Sequence, residues 1–393
     1  MNKEIAIKVP TKLILSGEWA VLEPRGKAIS LAINRFVYAN IKQSLFVKKN
    51  LLDRQAVQII IDCPILSSSR MRGSRLSKPT HVSFDLKSKK LIYLTKLSEK
   101  DLLKLKFVQT AIEVTLQYLL FKRINIKNFE LNLCSNETLI RLQNGEITKI
   151  GLGSSAAVVV ATVKSILKLH KQNIINTKSL KVIYKISMLA HFLVQGKLGS
   201  GVDVATSTFG RNIFYILPSK DWLDNQIALK KWMNIIVKPW PNLIIKSLLL
   251  PFDFNISVCF SGISADTKEI VLNINKFKKE KKDLYLQIVN QISAVTVDLI
   301  ASIKASERDL ILNLINLNAK LLRDFSNQSC IDIEISELKM AIEAAQMLNC
   351  AGKFSGAGGG DCSLAISFKR EDLLKVEKRW QDLGLYTLDL KLL

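Results

Sequence analysis

Histidine and paired cysteines are scarce in this chain. It has three histidines among 393 residues, and its six cysteines include no CxxC pair. This excludes the common zinc-binding patterns and gives no support for a serine–histidine–acid site. We interpret the cysteines as reduced, mostly buried thiols. The sequence also lacks an uninterrupted apolar run long enough to span a bilayer, and the N-terminal MNKEIAIKVP has no apolar signal-peptide core. We therefore expect a cytoplasmic protein without a membrane partner.

Acidic residues are also under-represented. Lysine and arginine number 57 against 34 aspartates and glutamates, which gives a formal net charge of +23. A positive field of this size attracts nucleic acids, membrane surfaces and phosphorylated metabolites. The lysines are spread along the whole chain, whereas nucleic-acid-binding proteins usually concentrate charge in stripes with interleaved aromatic residues. We therefore expect no nucleic-acid partner, and small anionic ligands are favoured.

The length and the hydrophobic patterns predict an α+β protein with two lobes, because 393 residues exceed one typical domain. We place the lobes at residues 1–218 and 219–393, since the pattern changes around Pro218. A basic, serine-rich segment at 67–80 is predicted to be a mobile loop. Apolar periodicity further predicts helices at 99–122, 154–171 and 179–196, helices across 266–350, and strands at 129–135, 255–261 and 361–368.

The stretch IGLGSSAAVV, residues 150–159, combines two glycines, two hydroxyl side chains and an apolar run. One interpretation is an ordinary helix start capped by serine. A dinucleotide-binding fingerprint is excluded, because the required acidic residue is absent from KQNIINTK at 171–178. A Walker loop is excluded too, because no Gly-Lys-Ser/Thr follows. A phosphate cradle remains, in which glycines allow close approach and the helix N-terminus supplies N–H groups.

Two further stretches favour the phosphate cradle. They are KVPTKLILSGEWAVL at 8–22 and KFSGAGGGDCSLAI at 353–366. In this order, together with GLGSSAA, they resemble the three motifs of the GHMP small-molecule kinases. The resemblance covers nearly the whole chain, and within the family it is strongest to the bacterial-type phosphomevalonate kinases. It is carried further by 107–119, 193–210, 238–251 and 260–271.

The resemblance implies a fold and a set of ligands. The N-terminal lobe would be similar to ribosomal protein S5 domain 2, the C-terminal lobe would be ferredoxin-like, and the active site would lie between them. Lys12 and Asp203 match the family's catalytic lysine and aspartate. ATP would be the phosphoryl donor, with Mg²⁺ held by Ser154 and Ser155. The residues implied to bind the ATP triphosphate are Gly151, Leu152, Gly153, Ser154, Ser155 and Ala156.

The acceptor implied by the resemblance is phosphomevalonate. The alternatives are mevalonate or the acceptor of another GHMP kinase, or a non-catalytic nucleotide-binding protein of this fold, as a monomer or homodimer. For Lys197 and Lys353 a solvated surface position is the competing interpretation. The residues implied to bind the acceptor are Lys12, Lys197, Ser200, Lys353, Ser355, Gly358 and Gly359.

Two other side chains carry separate expectations. Asp266 stands where phosphomevalonate kinases usually have small hydroxyl residues. An acid there would repel a substrate phosphate, so either its side chain points away or the local site is weakened. His191 lies on an apolar helix face and is expected to be a packed core histidine rather than a catalyst.

Overall fold

A computed structural model describes residues 4–44, 56–63, 79–196 and 199–393. Residues 67–78 of the predicted basic loop lie outside these ranges. Two short 3₁₀ helices, Ala20–Leu22 and Asn136–Thr138, accompany the longer elements. The strands are Ile5–Ser16 (β1), Lys27–Gln43 (β2), Ala56–Asp62 (β3), Thr80–Asp85 (β4), Lys90–Tyr93 (β5), Phe129–Cys134 (β6), Leu139–Arg141 (β7), Ile147–Lys149 (β8), Ile213–Ile216 (β9), Ile244–Ser247 (β10), Asn255–Phe260 (β11), Ala351–Ser355 (β12), Cys362–Ser367 (β13) and Tyr386–Leu388 (β14). The α-helices are Glu99–Phe121 (α1), Ser154–Leu169 (α2), Thr177–Gln195 (α3), Val202–Phe209 (α4), Lys220–Ala228 (α5), Trp232–Val237 (α6), Thr267–Glu280 (α7), Lys282–Ala305 (α8), Arg308–Ser329 (α9), Ser336–Met347 (α10) and Arg370–Asp382 (α11).

The first lobe is built on a sheet with the strand order β10-β9-β2-β6-β3-β4-β5, and β1 pairs with β2. Helix α2 packs against β1 and β2, and α1 and α3 pack beside it. Most of α2 is buried, because its sequence SSAAVVVATVKSILKL presents apolar or small side chains in nearly every direction. The central position of α2 fixes the start of this helix close to β1.

The second lobe is built on an antiparallel sheet with the order β12-β13-β11-β14. Helices α10 and α11 pack on this sheet, and α8 and α9 pack against each other. Leu13 and Leu15 of β1 belong to the apolar core that this lobe forms around Phe260 and Leu364. Strand β1 therefore contributes to both lobes and runs along their junction.

The lobe boundary differs from the expected division after residue 218. Strand β10 pairs with β9, and it extends the first sheet. Leu223, Ile236 and Trp240 are buried in the first core. Residues 220–247 therefore pack with the first lobe, because the apolar side chains of α5 and α6 cover its core.

Helix α8 is long and apolar enough, by length and composition alone, to cross a membrane, and half of its most apolar stretch is buried. The helix is not an uninterrupted apolar run, because charged residues stand at its ends and Asp298 lies on its exposed side. Tyr285, Ile292 and Leu299 are buried within the protein, as in the core helix of a globular lobe.

Several predicted elements are confirmed. The predicted helix at 99–122 is α1, which begins after Ser98, whose side chain accepts a hydrogen bond from the backbone N–H of Asp101. The predicted helix at 179–196 is α3, which ends at Gly196 in the left-handed conformation. The strand predicted at 255–261 is β11. These elements carry local signals, periodicity and caps, that a sequence shows directly.

Candidate active site

The start of α2 carries no side-chain cap. Its N-cap residue is Gly153, in the left-handed conformation with φ of 75°, and no side chain bonds the first turn. Ser154 and Ser155 stand inside the helix and are half-buried. The alternative interpretation, an ordinary helix start capped by serine, is therefore wrong. Free backbone N–H groups and the positive end of the helix dipole favour an anion at this position.

Lys12, Gly153 and Asp203 meet at this helix start. A Cβ atom built on Gly153 would lie 3.1 Å from Cε of Lys12 and 3.6 Å from Cβ of Asp203. The glycine therefore leaves room for the lysine side chain to pass between the helix start and α4. The structure thus brings together the two residues predicted to be catalytic and the loop predicted to bind phosphate.

The backbone also joins the first motif to the glycine loop. The N–H of Lys12 donates to the carbonyl oxygen of Leu152 over 3.0 Å, and Lys12 is 9% exposed. Asp203 lies in the first turn of α4, and its Oδ1 accepts a hydrogen bond from the N–H of Val204 at 2.8 Å. Both side chains are thus attached to regular elements, which keeps their positions defined.

His191 is buried, as expected, but it also touches the predicted phosphate loop, residues 151–156. Its Nε2 lies 3.3 Å from Oγ of Ser155, and its ring packs on Phe107 with centroids 5.1 Å apart. Burial lowers the pKa of His191, and the negative charge of Asp203 opposes this effect. The neutral imidazole is therefore favoured over the charged form. The sequence does not predict this contact, because an apolar helix face indicates that His191 is buried but does not identify Ser155 as its neighbour.

Gly358 and Gly359 pack closely against Ile333 and Ile270 within the second lobe. A Cβ on Gly358 would lie 2.1 Å from the carbonyl oxygen of Ile333, and one on Gly359 would lie 2.4 Å from Cδ1 of Ile270. The N–H of Gly359 already donates to Ile333 over 2.8 Å. Close backbone approach explains both glycines. Their predicted contact with substrate stays a prediction.

Lys353 lies in a different environment from either sequence interpretation. It is fully buried, and its ammonium forms an ion pair with the equally buried Glu18. It also donates to the carbonyl oxygens of Ile14, over 3.4 Å, and of Phe354. A solvated surface position is therefore wrong. The arrangement also differs from the expected substrate contact, because protein acceptors already surround the ammonium.

Ser355 is likewise engaged within the protein, and its predicted contact with substrate stays a prediction. Its Oγ accepts a hydrogen bond from the N–H of Ile14 at 2.7 Å, in a buried environment. Oγ of Ser200 accepts a hydrogen bond from the N–H of Val202 at 3.4 Å, beside the start of α4. Lys197 lies outside the described residues. Asp266 caps α7, with Oδ1 accepting from the N–H groups of residues 268 and 269, and its expected orientation away from a substrate phosphate stays a prediction.

Asp361 is a site residue that the sequence analysis missed. A Cβ on Gly151 would lie 2.0 Å from Cγ of Asp361, so the carboxyl group covers the phosphate loop directly. Oδ1 accepts a hydrogen bond from the N–H of Ala265 at 3.3 Å. Burial raises the pKa of Asp361 to about 6, and the positive charge of Lys12 opposes this effect. The available signal was the single acid directly after the GGG run.

The donor set at the start of α2 is compatible with magnesium. Mg²⁺ prefers oxygen ligands and is commonly held by one or two protein groups together with substrate phosphates and water. Ser154 and Ser155 supply hydroxyl oxygens at the place where free N–H groups favour an anion. Within the described ranges, no cluster of three or more histidine, cysteine or acidic side chains could hold a metal alone. These residues fit a metal that arrives with a nucleotide.

Comparisons with known proteins extend over both lobes. The family model for the GHMP kinases N terminal domain matches residues 106–211, and that for the GHMP kinases C terminal region matches residues 299–384. A phosphomevalonate kinase of Streptomyces sp. (strain CL190) is 24% identical over 99% of this chain and 97% of its own length. A mevalonate kinase of Pyrococcus furiosus is 29% identical over 55% of this chain and 56% of its own length. The structure of Streptococcus pneumoniae phosphomevalonate kinase in complex with phosphomevalonate and AMPPNP matches with a TM-score of 0.77 at 22% identity, covering 99% of this chain and 100% of that one. The predicted fold is thereby confirmed.

Proposed function

We propose that this chain, which belongs to the GHMP kinase family, transfers the γ-phosphoryl group of ATP to 5-phosphomevalonate in the cytoplasm. The products would be ADP and 5-diphosphomevalonate, an intermediate of isoprenoid synthesis. The observation that carries the proposal is the convergence of Lys12, Asp203 and Gly153 at an uncapped helix start. The named relative that spans nearly the whole chain supports phosphomevalonate as the acceptor.

The chemistry proposed is an in-line displacement. A phosphate oxygen of the acceptor forms a bond to the γ-phosphorus, and the bond from that phosphorus to the β–γ bridging oxygen breaks. Phosphoryl transfer depends mainly on positioning and on neutralising charge. The N–H groups at the start of α2 would bind the triphosphate, and Ser154 and Ser155 would hold Mg²⁺. That ion, when bound, supplies positive charge to the phosphate oxygens.

Lys12 and Asp203 would have unequal roles. The second pKa of a phosphate monoester is about 6, so the acceptor is largely dianionic at neutral pH and has little proton to lose. The main difficulty is to bring two anions together. Lys12, beside the helix start, would lower that repulsion directly. Asp203 would orient the lysine or the metal and would not be an obligatory base.

Mevalonate is the second candidate acceptor, because the Pyrococcus furiosus mevalonate kinase matches more than half of the chain. An alcohol has a pKa near that of water, roughly 16, so its proton must be removed during transfer. In that reaction Asp203 would act as the general base. The two candidates therefore assign different chemistry to the same carboxylate.

The experiment measures ADP release by the full-length protein with MgATP, offering phosphomevalonate and mevalonate in parallel. Turnover with phosphomevalonate alone is the expected result. Turnover with mevalonate alone would replace the proposed acceptor. Silence with both, with intact MgATP binding, would favour a nucleotide-binding protein without this kinase activity.

A further inference from the structure

One edge of strand β1 pairs with β2, and the other edge pairs with no described strand. Its outward N–H groups at residues 12 and 14 would be buried without partners, which costs free energy comparable to a lost hydrogen bond. They are satisfied by Leu152 of the phosphate loop and by Ser355 of β12, at 3.0 and 2.7 Å. The two glycine-rich motifs therefore cover the free edge of β1.

Both backbone hydrogen-bonding groups of Ile14 are engaged at this edge. Ser355 accepts from its N–H, and the ammonium of Lys353 donates to its carbonyl oxygen over 3.4 Å. The same ammonium pairs with Glu18, two residues beyond the end of β1, and both side chains are at most 1% exposed. One buried cation thus holds β1 and the turn that follows it. Removing one partner of such a pair leaves an uncompensated buried charge.

Residue 14 lies next to residue 12 on the same face of β1, since side chains alternate along a strand. Holding both backbone groups of Ile14 at this edge therefore limits the movement of Lys12. The side chain of Lys12 passes Gly153 with little free space, 3.1 Å from a Cβ built there. Misplacement of a reacting group by about 1 Å can cost roughly a hundredfold in rate.

We propose that Lys353 and Ser355 are positioning residues: they clamp the free edge of β1 and thereby hold Lys12 in place, and they do not bind the acceptor. This inference rests on the proposed kinase function. Residues of the third motif (353–366) would then position a residue of the first motif (8–22) across the junction of the lobes. The ammonium of Lys353 forms an ion pair with Glu18 and donates a hydrogen bond to the carbonyl oxygen of Ile14.

The principal test compares Ser355→Ala with Ser16→Ala. Both changes remove one buried hydroxyl contact with β1, because Oγ of Ser16 lies 2.8 Å from Oγ1 of Thr296 on α8. Steady-state kinetics and thermal unfolding are measured for both. We expect S355A to lower kcat by roughly tenfold or more, with the KM for phosphomevalonate within about twofold of the unchanged protein. S16A should lose similar stability and keep its kcat.

A second test removes the ion pair. Lys353→Met alone leaves Glu18 buried and unpaired, so a large loss of melting temperature is expected. The double variant E18Q/K353M removes both charges, and we expect it to recover much of the melting temperature while kcat stays low. Recovery of kcat together with stability would overturn the positioning role. A raised KM for phosphomevalonate with unchanged kcat in S355A would also overturn it, because that pattern identifies an acceptor contact.

Amide hydrogen exchange separates this inference from the proposed function. The amides of Lys12 and Ile14 are followed in the unchanged protein, S355A and S16A. Faster exchange at both positions in S355A alone is expected, whether or not the protein turns over phosphomevalonate. An inactive protein with this exchange pattern would refute the proposed function and keep the clamp. An active protein in which S355A leaves the Lys12 amide unchanged would refute the clamp.

Discussion

The carboxyl group of Asp361 lies over the backbone of Gly151, so closely that a Cβ on the glycine would stand 2.0 Å from Cγ of the aspartate. This contact joins the start of β13 to the phosphate loop. The two motifs are therefore in direct contact. Gly151 permits it, and Asp361 brings a buried acid next to a loop proposed to bind a triphosphate.

The contact predicts a specific requirement for glycine at position 151. Gly151→Ala would place a methyl group inside the Asp361 carboxyl group and would strain a backbone with φ of 78°. We expect the KM for ATP to rise by about tenfold or more, since a shifted loop loses contacts of the order of 1.4 kcal/mol. Steady-state kinetics measure this effect.

Gly145→Ala is the matched control. Its φ is 81°, and a Cβ there meets nothing within 4 Å. We expect a stability loss of about 1 kcal/mol from the strained backbone and an unchanged KM for ATP. Equal KM values in the two variants would contradict the proposed role of the Gly151 loop.

Asp361 predicts a pH-dependent stability. Its pKa is raised to about 6 by burial, so between about pH 4 and 6 the folded protein binds more protons than the unfolded chain. The contribution of this group to stability is present below pH 4 and is lost as the pH rises through 6. Asp361→Asn does not titrate. Its free energy of unfolding relative to the unchanged protein should therefore grow across this window, by at most about 3 kcal/mol.

Urea unfolding between pH 4 and 8 measures this difference, with Asp85→Asn as the control. Hydrogen bonds from Ser88 and Lys87 lower the pKa of Asp85, so its contribution is present at neutral pH and lost on acidification. Because Asp85 titrates below its ordinary value of 3.8, the difference between D85N and the unchanged protein should stay nearly flat across pH 4–8. A flat difference for D361N would show that Asp361 is not perturbed.

Substitutions of Lys12 and Asp203 are expected to lower kcat to different extents. If the acceptor is a phosphate monoester, Lys12→Ala should lose more kcat than Asp203→Asn, because charge neutralisation matters more than proton removal. Single-turnover measurements with saturating phosphomevalonate compare the two variants. An equally severe loss in D203N would contradict this order and would support a general-base role.

His191 predicts a separable contribution to nucleotide binding. His191→Phe keeps an aromatic ring beside Phe107 but removes the contact with Ser155. We expect the KM for ATP to rise about fivefold, corresponding to one ordinary hydrogen bond. An unchanged KM would assign His191 to packing alone.

His170→Phe provides the comparison at the other end of α2. Its Nε2 accepts from the N–H of Lys127 at 3.1 Å, and its Nδ1 lies 2.7 Å from the carbonyl oxygen of Ile166. Loss of these buried contacts should cost roughly 1–3 kcal/mol of stability. The KM for ATP should stay unchanged, because this histidine is remote from the phosphate loop.

The sequence by itself determined several of the elements and the three motifs. Helix α1 follows from periodicity and from the Ser98 cap, and the glycine stretch at 151–153 follows from its own composition. These features depend on neighbours within one or two turns of chain. Lys12 and Asp203 are predicted only by the resemblance of these motifs to the GHMP kinases, because no local signal marks either residue as catalytic.

Only the tertiary structure decided what the motif residues touch. Ser355 bonds Ile14 across 341 positions, and Asp361 covers Gly151 from the other lobe. A lysine in a strand pattern is normally solvated, so no local rule predicts that Lys353 is buried with Glu18. Burial, pairing and pKa are properties of the assembled environment. They arise only when β1 packs between the two lobes.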